Sequence, residues 1–299
     1  MSSDAPPPLG ERISGLFEPA QLMIWAMSHY FRVCTEAVFQ KGQVLAPLLQ
    51  TGRLRDEAFG RFWIEFSSTP ARTAAIEPNS EDEANNAPVG SSALIPPLLK
   101  TASGVVLDIG PGTGTQMPLL RSPAIKAIYG AEPCAGLHAE LRKKAASEGL
   151  AEKYTILPCG VAAAELVPAL ADVGVDVDSG GVFDTILCVR VLCSVPEMER
   201  TVRELYRLLK PGGRLLITEH VVNPWRTAKG SLAGRLAQAV YQFLGWSWYI
   251  GDCHLDRDTE KVLRVAAEGD GGWESMQLDR CFEWSAMPYL SGTLVKKSG

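Results

Sequence analysis

Residues 105–115 read VVLDIGPGTGT, a stretch whose residue types and spacing suit the holding of a polar ligand at the end of a strand. Asp108 supplies a carboxylate, and Gly110, Gly112 and Gly114 recur at every second position, with Pro111 among them. Glycine permits a tight turn and lets a ligand lie against bare backbone, because no Cβ intervenes. A dinucleotide fingerprint sets its third glycine one residue later, as G-x-G-x-x-G, and Thr115 stands there instead. A second acid, Glu132, followed by Pro133, falls a little over twenty residues past the first loop glycine. An acid so placed can accept both hydroxyls of a ribose.

Three side chains suit a general base. His220 ends an apolar run at the tip of an expected strand, where ligand crevices lie, and imidazole titrates near neutral pH. Asp252 and His254 stand together in GDCHLD. His29 and His138 fall in helical stretches and read as packing or surface residues. Cys193 reads as a small apolar wall of a pocket, not as a nucleophile.

These groups need elements to position them. Val105, Val106, Leu107 and Ile109 form the short apolar run of a strand buried on both faces. Residues 125–131 (IKAIYGA), 154–159 (YTILPC), 182–189 (VFDTILCV) and 215–218 (LLIT) predict four more strands. Helices are expected at 93–100, 115–121, 135–147, after Val161, and from 198 to 209. In the last of these Met198, Val202, Leu205 and Leu209 share a face, Ser194 and Glu197 have capping-box spacing, Pro196 suits the first turn, and KPGG closes it. Alternating strands and helices require an α/β fold, a doubly wound parallel sheet with ligand sites at the strands' carboxyl ends. A helix near 256–267 and strands near 273–278 and 291–296 complete a seven-stranded sheet with a reversed final strand.

Residues 19–66 read as aromatic-rich helices, with Phe59, Phe62, Trp63 and Phe66 on one face. Core packing and a lid walling an acceptor pocket both stay open for them, with Tyr30 and Trp63 as substrate-facing candidates. Residues 225–249 carry Leu232, Leu236, Val240, Phe243 and Leu244 at helical spacing, then Trp246, Trp248 and Tyr249. Their few cations disfavour a helix lying on a membrane, so a helix packed at the pocket mouth is expected, with Trp248 in the substrate wall. The domain division is a helical lid over 1–66, a linker or mobile loop over 67–92, rich in Pro, Ser, Asn and acids, and a ligand-binding domain over 93–299.

The 299 residues carry a net charge of -5 and 21% charged side chains without a long basic run. Nucleic acid is therefore not an evident partner, and a small molecule is. Seven scattered cysteines without a C-x-x-C pair argue against a zinc site or a disulfide framework, so no metal is expected. MSSDAPPPLGER lacks the features of a signal peptide, and no apolar run approaches the roughly 20 residues of a membrane span. A soluble, cytoplasmic protein is expected.

DIGPGTGT, Glu132, VFDTILCV and LYRLLKPGGRLLITEH, in this order and spacing, resemble the class I S-adenosylmethionine-dependent methyltransferases over about residues 94–220. VLCSV at 191–195, LLKPGGRLLITEHV, and GDCHLDRDTEKVL at 251–263 are similar to the alkyl thiol methyltransferases of the methyltransferase-like group and to related natural-product methyltransferases. The resemblance implies S-adenosylmethionine as cofactor. Asp108 and the loop from Gly110 to Gly114 would surround its methionine part, Glu132 the ribose, Gly160 and Val161 the adenine, with Val189, Arg190 and Val191 approaching from the fourth strand. It implies methyl transfer to a heteroatom of an apolar small molecule, thiol sulfur first and hydroxyl or carboxyl oxygen second. The same cofactor loops would also serve a binding module or a pericyclic catalyst. Tyr206 and Lys210 have the Y-x-x-x-K spacing of short-chain dehydrogenases, but Tyr206 lies on the helix just before KPGG and the third glycine is misplaced, which disfavours a nicotinamide oxidoreductase.

Overall fold

The computed structural model describes residues 7–69, 90–177 and 180–298. Seven strands are formed: β1 (Gly104–Ile109), β2 (Ile125–Ala131), β3 (Tyr154–Leu157), β4 (Phe183–Val189), β5 (Leu209–His220), β6 (Ser275–Cys281) and β7 (Tyr289–Val295). They make one sheet in the order β3-β2-β1-β4-β5-β7-β6. β1 to β5 pair in parallel. β7 runs the other way, as the paired bonds Gly212 N–H to the Lys296 carbonyl (3.0 Å) and Lys296 N–H to the Gly213 carbonyl (2.9 Å) require. The α/β class, the parallel sheet and the reversed strand are those the sequence predicts.

The chain divides into two compact units. One takes in Trp63–Glu219, Glu260–Asp279 and Leu290–Gly299. Its core joins Val106, Ile128, Leu187 and Leu216 of the strands to Ile95 and Leu99 of a short helix and Leu141 of helix His138–Ser147. Each such side chain contributes about 1.5–3 kcal/mol by leaving water. Two local expectations are corrected here. Where a helix was expected over 115–121, there is only a 3-10 turn, Met117–Leu120, whose Pro118 has no N–H to give a longer helix. Helix Met198–Leu208 starts after Glu197, which sits at φ +42° without a side-chain cap bond, so the Ser194/Glu197 box does not form. KPGG follows the end of that helix as a bulge inside β5. Leu209 already pairs with Phe183, and the register shifts before Arg214 meets Thr185.

The other unit takes in Met1–Phe62, His220–Thr259 and Arg280–Tyr289. Helix Leu9–Thr35 buries the line Gly15, Pro19, Met23, Ala26, His29 and Val33, then passes into a π-helical turn, Glu36–Gln40. Val33 and Ala37 pack on Leu54 and Ala58 of helix Thr51–Ser67. Phe62 is fully buried, with Trp25 at 5.7 Å and His29 at 6.1 Å between ring centroids. Of the aromatic stripe, Phe62 is thus core.

Helix Leu232–Phe243 is capped by Ser231, whose hydroxyl accepts from the Gly234 N–H at 3.1 Å. Its buried line is Gly234, Gln238 and Tyr241, the reverse of the expected packing of its leucines, which face out. A buried polar network decides the matter. Gln238 accepts from the Asn223 N–H (2.9 Å) and donates to the Val221 carbonyl (3.0 Å), while Asn223 donates to the carbonyls of Glu283 (2.7 Å) and Ser285 (2.8 Å). Unmade, these bonds would leave buried polar groups at about 1–3 kcal/mol each, so the helix turns its glutamine inward. Among the described residues no helix is long and apolar enough to cross a membrane.

Candidate functional site

Strand register brings the candidate residues to one edge. Ile109 pairs with Ala131 on one side and Cys188 on the other, and Ala131 pairs with Leu157. The residues that follow, Gly110 and Glu132, leave the sheet at the level where Val189 ends β4 beside Thr218, with Gly160 and Val161 just beyond β3. Gly110, Gly112 and Gly114 have φ of +58°, +61° and +78°, where any other residue is strained. Space reinforces this: a Cβ on Gly110 would lie 2.6 Å from Val191 Cγ2, and one on Gly112 would overlap the Trp63 indole nitrogen. Pro111 lies between them, half-buried, and Pro133 is exposed.

Glu132 is buried, and its two carboxylate oxygens accept from the backbone N–H of Gly112 (2.9 Å) and Cys134 (2.8 Å). Burial pushes its carboxyl up and those two bonds pull it partly back. Asp108, also buried, is pushed up to about 6 by desolvation, against the effect of a hydrogen bond from the Tyr154 hydroxyl at 2.8 Å. The Tyr154 phenol is itself driven well up by burial and by Asp108. Gly130 leaves room for Tyr154, whose ring would meet any Cβ there.

Several partners escaped the sequence reading. Tyr154 is one. Glu219, fully buried, accepts from the N–H groups of Val191 (2.7 Å) and Leu192 (2.9 Å) and so shapes the turn after β4. In that turn Arg190 has φ +57° and donates to the hydroxyls of Ser91 (2.9 Å) and Ser92 (3.2 Å). Glu165 accepts from the Gly160 N–H at 2.9 Å. Ser67 accepts from the Thr113 hydroxyl at 2.8 Å, so Trp63 and Ser67, one helical turn apart, both touch the glycine loop. An acid beyond a strand was the one available signal, for Glu219, and a mid-strand glycine hinted at Tyr154.

The other candidates have partners of their own. His220 Nε2 lies 3.1 Å from Cys253 Sγ, with both residues buried, and the imidazole stands edge-on to Tyr289. Asp252 is held at the surface by a two-pronged bond from Arg55 (2.9 and 3.0 Å), and His254 Nδ1 pairs with Gln242 at 2.9 Å. These three side chains therefore have separate partners. Tyr30 and Trp248 do meet, 6.4 Å between ring centroids, whereas Trp63 stands on the glycine loop. Cys193 is buried with its sulfur 3.5 Å from the Ser194 hydroxyl.

A sheet of this order with a glycine cradle and two buried acids at its carboxyl edge is the arrangement of an adenosyl-cofactor site. The family model of the methyltransferase domain matches residues 84–268, and the chain belongs to that family. It is 33% identical over 118 residues to a thiol S-methyltransferase of Rattus norvegicus, across 38% of this chain and 44% of that protein. To a thiol S-methyltransferase of Homo sapiens it is 32% identical over 136 residues, across 46% and 50%. The chain thus spans about half the length of these relatives or less. An O-methyltransferase family protein from Burkholderia thailandensis shares the fold with a TM-score of 0.51 and 15% identity, over 96% of this chain and 73% of that one. The residues at hand fit S-adenosylmethionine: Gly110, Gly112 and Gly114, all at positive φ, turn the backbone beside two buried carboxylates, Asp108 and Glu132, which could accept hydrogen bonds from an ammonium and from ribose hydroxyls.

Proposed function

We propose that this enzyme methylates a heteroatom of an apolar small molecule, thiol sulfur first and hydroxyl or carboxyl oxygen second. The sulfonium of the bound cofactor supplies an electrophilic methyl group. The chain's task is to hold the acceptor in line with it and keep water out. The cradle of Gly110, Pro111, Gly112 and Gly114 receives the cofactor's backbone, Asp108 its ammonium, Glu132 its ribose, and Gly160 and Val161 its adenine, with Val189, Arg190 and Val191 closing the fourth-strand side. Tyr30 and Trp248, paired ring to ring, offer an apolar acceptor wall.

What carries the preference for sulfur is the similarity to thiol S-methyltransferases, together with the weak demand a thiol makes on a base. With a reference pKa near 8.5 a thiol is partly ionised at neutral pH, whereas an alcohol needs a positioned base. His220 is the proposed base, with Asp252 and His254 behind it.

Labelled cofactor offered with aliphatic and aromatic thiols, phenols, carboxylic acids and amines should give product with thiols foremost. With a thiol, His220→Ala should cost less than about tenfold and the loss should shrink as pH rises past the thiol pKa; with a phenol it should cost about 10²-fold or more. Turnover of amines alone would overturn the heteroatom assignment.

A further inference from the structure

Trp248 of the proposed acceptor wall and Cys253, which touches the proposed base, lie on one turn of the helical unit. Trp248 belongs to the short helix Trp246–Tyr249, anchored by the buried Trp246. Cys253 brings its sulfur to 3.1 Å from His220 Nε2. Between them Gly251 and Asp252 both have left-handed backbone, with φ of +55° and +59°. Aspartate enters that region more readily than most residues, but the conformation still has to be held. The Asp252 N–H donates to the Ser247 carbonyl (2.9 Å) and the Cys253 N–H to the Ile250 carbonyl (3.0 Å), which closes the turn on itself.

Helix Thr51–Ser67 supplies the rest of the hold. Phe59 lies under Gly251, where a Cβ would come within 2.7 Å of its ring. Arg55, one helical turn earlier, makes two contacts at once. Its Nη1 and Nη2 donate to the two carboxylate oxygens of Asp252, at 3.0 and 2.9 Å, while its guanidinium carbon stands 5.4 Å over the Trp248 ring. The neighbouring Asp56 carboxylate lies 3.6 Å from its Nε. Tyr30 meets the same indole edge-on.

A forked pair fixes the plane of the guanidinium as well as its place, and an indole face attracts the cation above it. Stability is not what such a pair chiefly supplies, because the Asp252 side chain is 57% exposed and exposed ion pairs contribute little. Geometry is. With Asp252 at one side and Trp248 at the other, Arg55 ties the strained part of the turn to the ring that would meet the acceptor.

We propose that Arg55 is a positioning residue for methyl transfer: gripped by Asp252, it sets the Trp248 indole against which the acceptor packs and steadies the turn that places Cys253 at His220. Asp252 serves as its anchor. This rests on the acceptor wall and base proposed above.

Steady-state kinetics of the full chain test it, with whichever thiol, phenol, carboxylic acid or amine the wild type methylates. Arg55→Ala should raise the acceptor KM about tenfold; kcat should fall less than about threefold with a thiol and about tenfold with a phenol, which needs the base. The melting temperature and the calorimetric affinity for S-adenosylhomocysteine should stay near those of the wild type. Arg55→Lys keeps the charge without the planar fork, should still raise KM about threefold or more, and carries the test should Arg55→Ala misfold. Asp252→Ala should match Arg55→Ala, and the two together should cost no more than either alone. An unchanged KM in both Arg55 variants overturns the proposal, as does a KM that rises only where cofactor affinity and melting temperature fall with it. So does an Asp252→Ala loss that adds to that of Arg55→Ala, which would put Asp252 on the acceptor itself. A wild type that methylates amines alone defeats the heteroatom reading, and the same comparisons made with the amine still decide the role of Arg55.

Discussion

Asp108 is costly to keep in the folded chain. Its carboxyl titrates near 3.8 when exposed and at about 6 where it is buried. A raised folded value means that its contribution to stability is most favourable below pH 3.8, declines as pH rises through 6, and is a constant penalty above that. The penalty is on the order of 2–3 kcal/mol at neutral pH. Asp108→Asn, which still accepts from Tyr154, should therefore raise the melting temperature of the cofactor-free protein at pH 7.5 while weakening binding of S-adenosylhomocysteine. In the wild type, affinity should climb as pH rises through about 6 and level off near 7, as the carboxylate proposed to meet the ammonium ionises. Tyr154→Phe removes the bond that lowers Asp108, so the midpoint should move upward; calorimetry across pH 5–8 reads both effects, and a midpoint unmoved by either change sinks the assignment. Asp108, Glu132 and the three glycines were legible in the sequence because loop chemistry is local. Tyr154 was not, since its partner is 46 residues away, nor Glu219, which acts on N–H groups 27 and 28 residues before it.

Among the elements, helix Thr51–Ser67 has two kinds of side chain within a single turn. Phe62 is wholly core, and Trp63 touches the cofactor loop. Phe62→Ala should cost about 3–5 kcal/mol of stability with little change in the cofactor affinity of the folded fraction. Trp63→Ala should do the converse, raising the dissociation constant for S-adenosylhomocysteine about tenfold with a melting temperature that moves little; equal effects from both would show that the turn is only packing. The strands of the parallel sheet could be read from their apolar runs, because a strand buried on both faces has few alternatives. Helix Leu232–Phe243 was read inside out, since periodicity finds its apolar line without showing what lies on either side. Its inward face is set by Gln238 and Asn223, whose partners are distant in sequence. KPGG stops the preceding helix as expected, but whether it turns or bulges depends on the pairing of Leu209 with Phe183.

At the scale of the molecule, the helical unit draws on three separated stretches, Met1–Phe62, His220–Thr259 and Arg280–Tyr289. Gly15 and Tyr241 show what the later stretches give the first: a seat at Ser285 and a tether at Leu16. Residues 1–66 made alone should consequently show little helix by circular dichroism and no cooperative melting, and a folded fragment would refute the dependence. The alternation of strands and helices foretold the α/β core, but the sharing of a unit among distant stretches leaves no local mark. It also has a consequence in time. A ribosome adding about 5–20 residues per second needs roughly 10–45 s to go from residue 62 to residue 289. Through that interval the first helix, apolar along two opposite lines, has neither its seat nor its tether, and a nascent chain in that condition is a natural client for a chaperone that shields apolar helices.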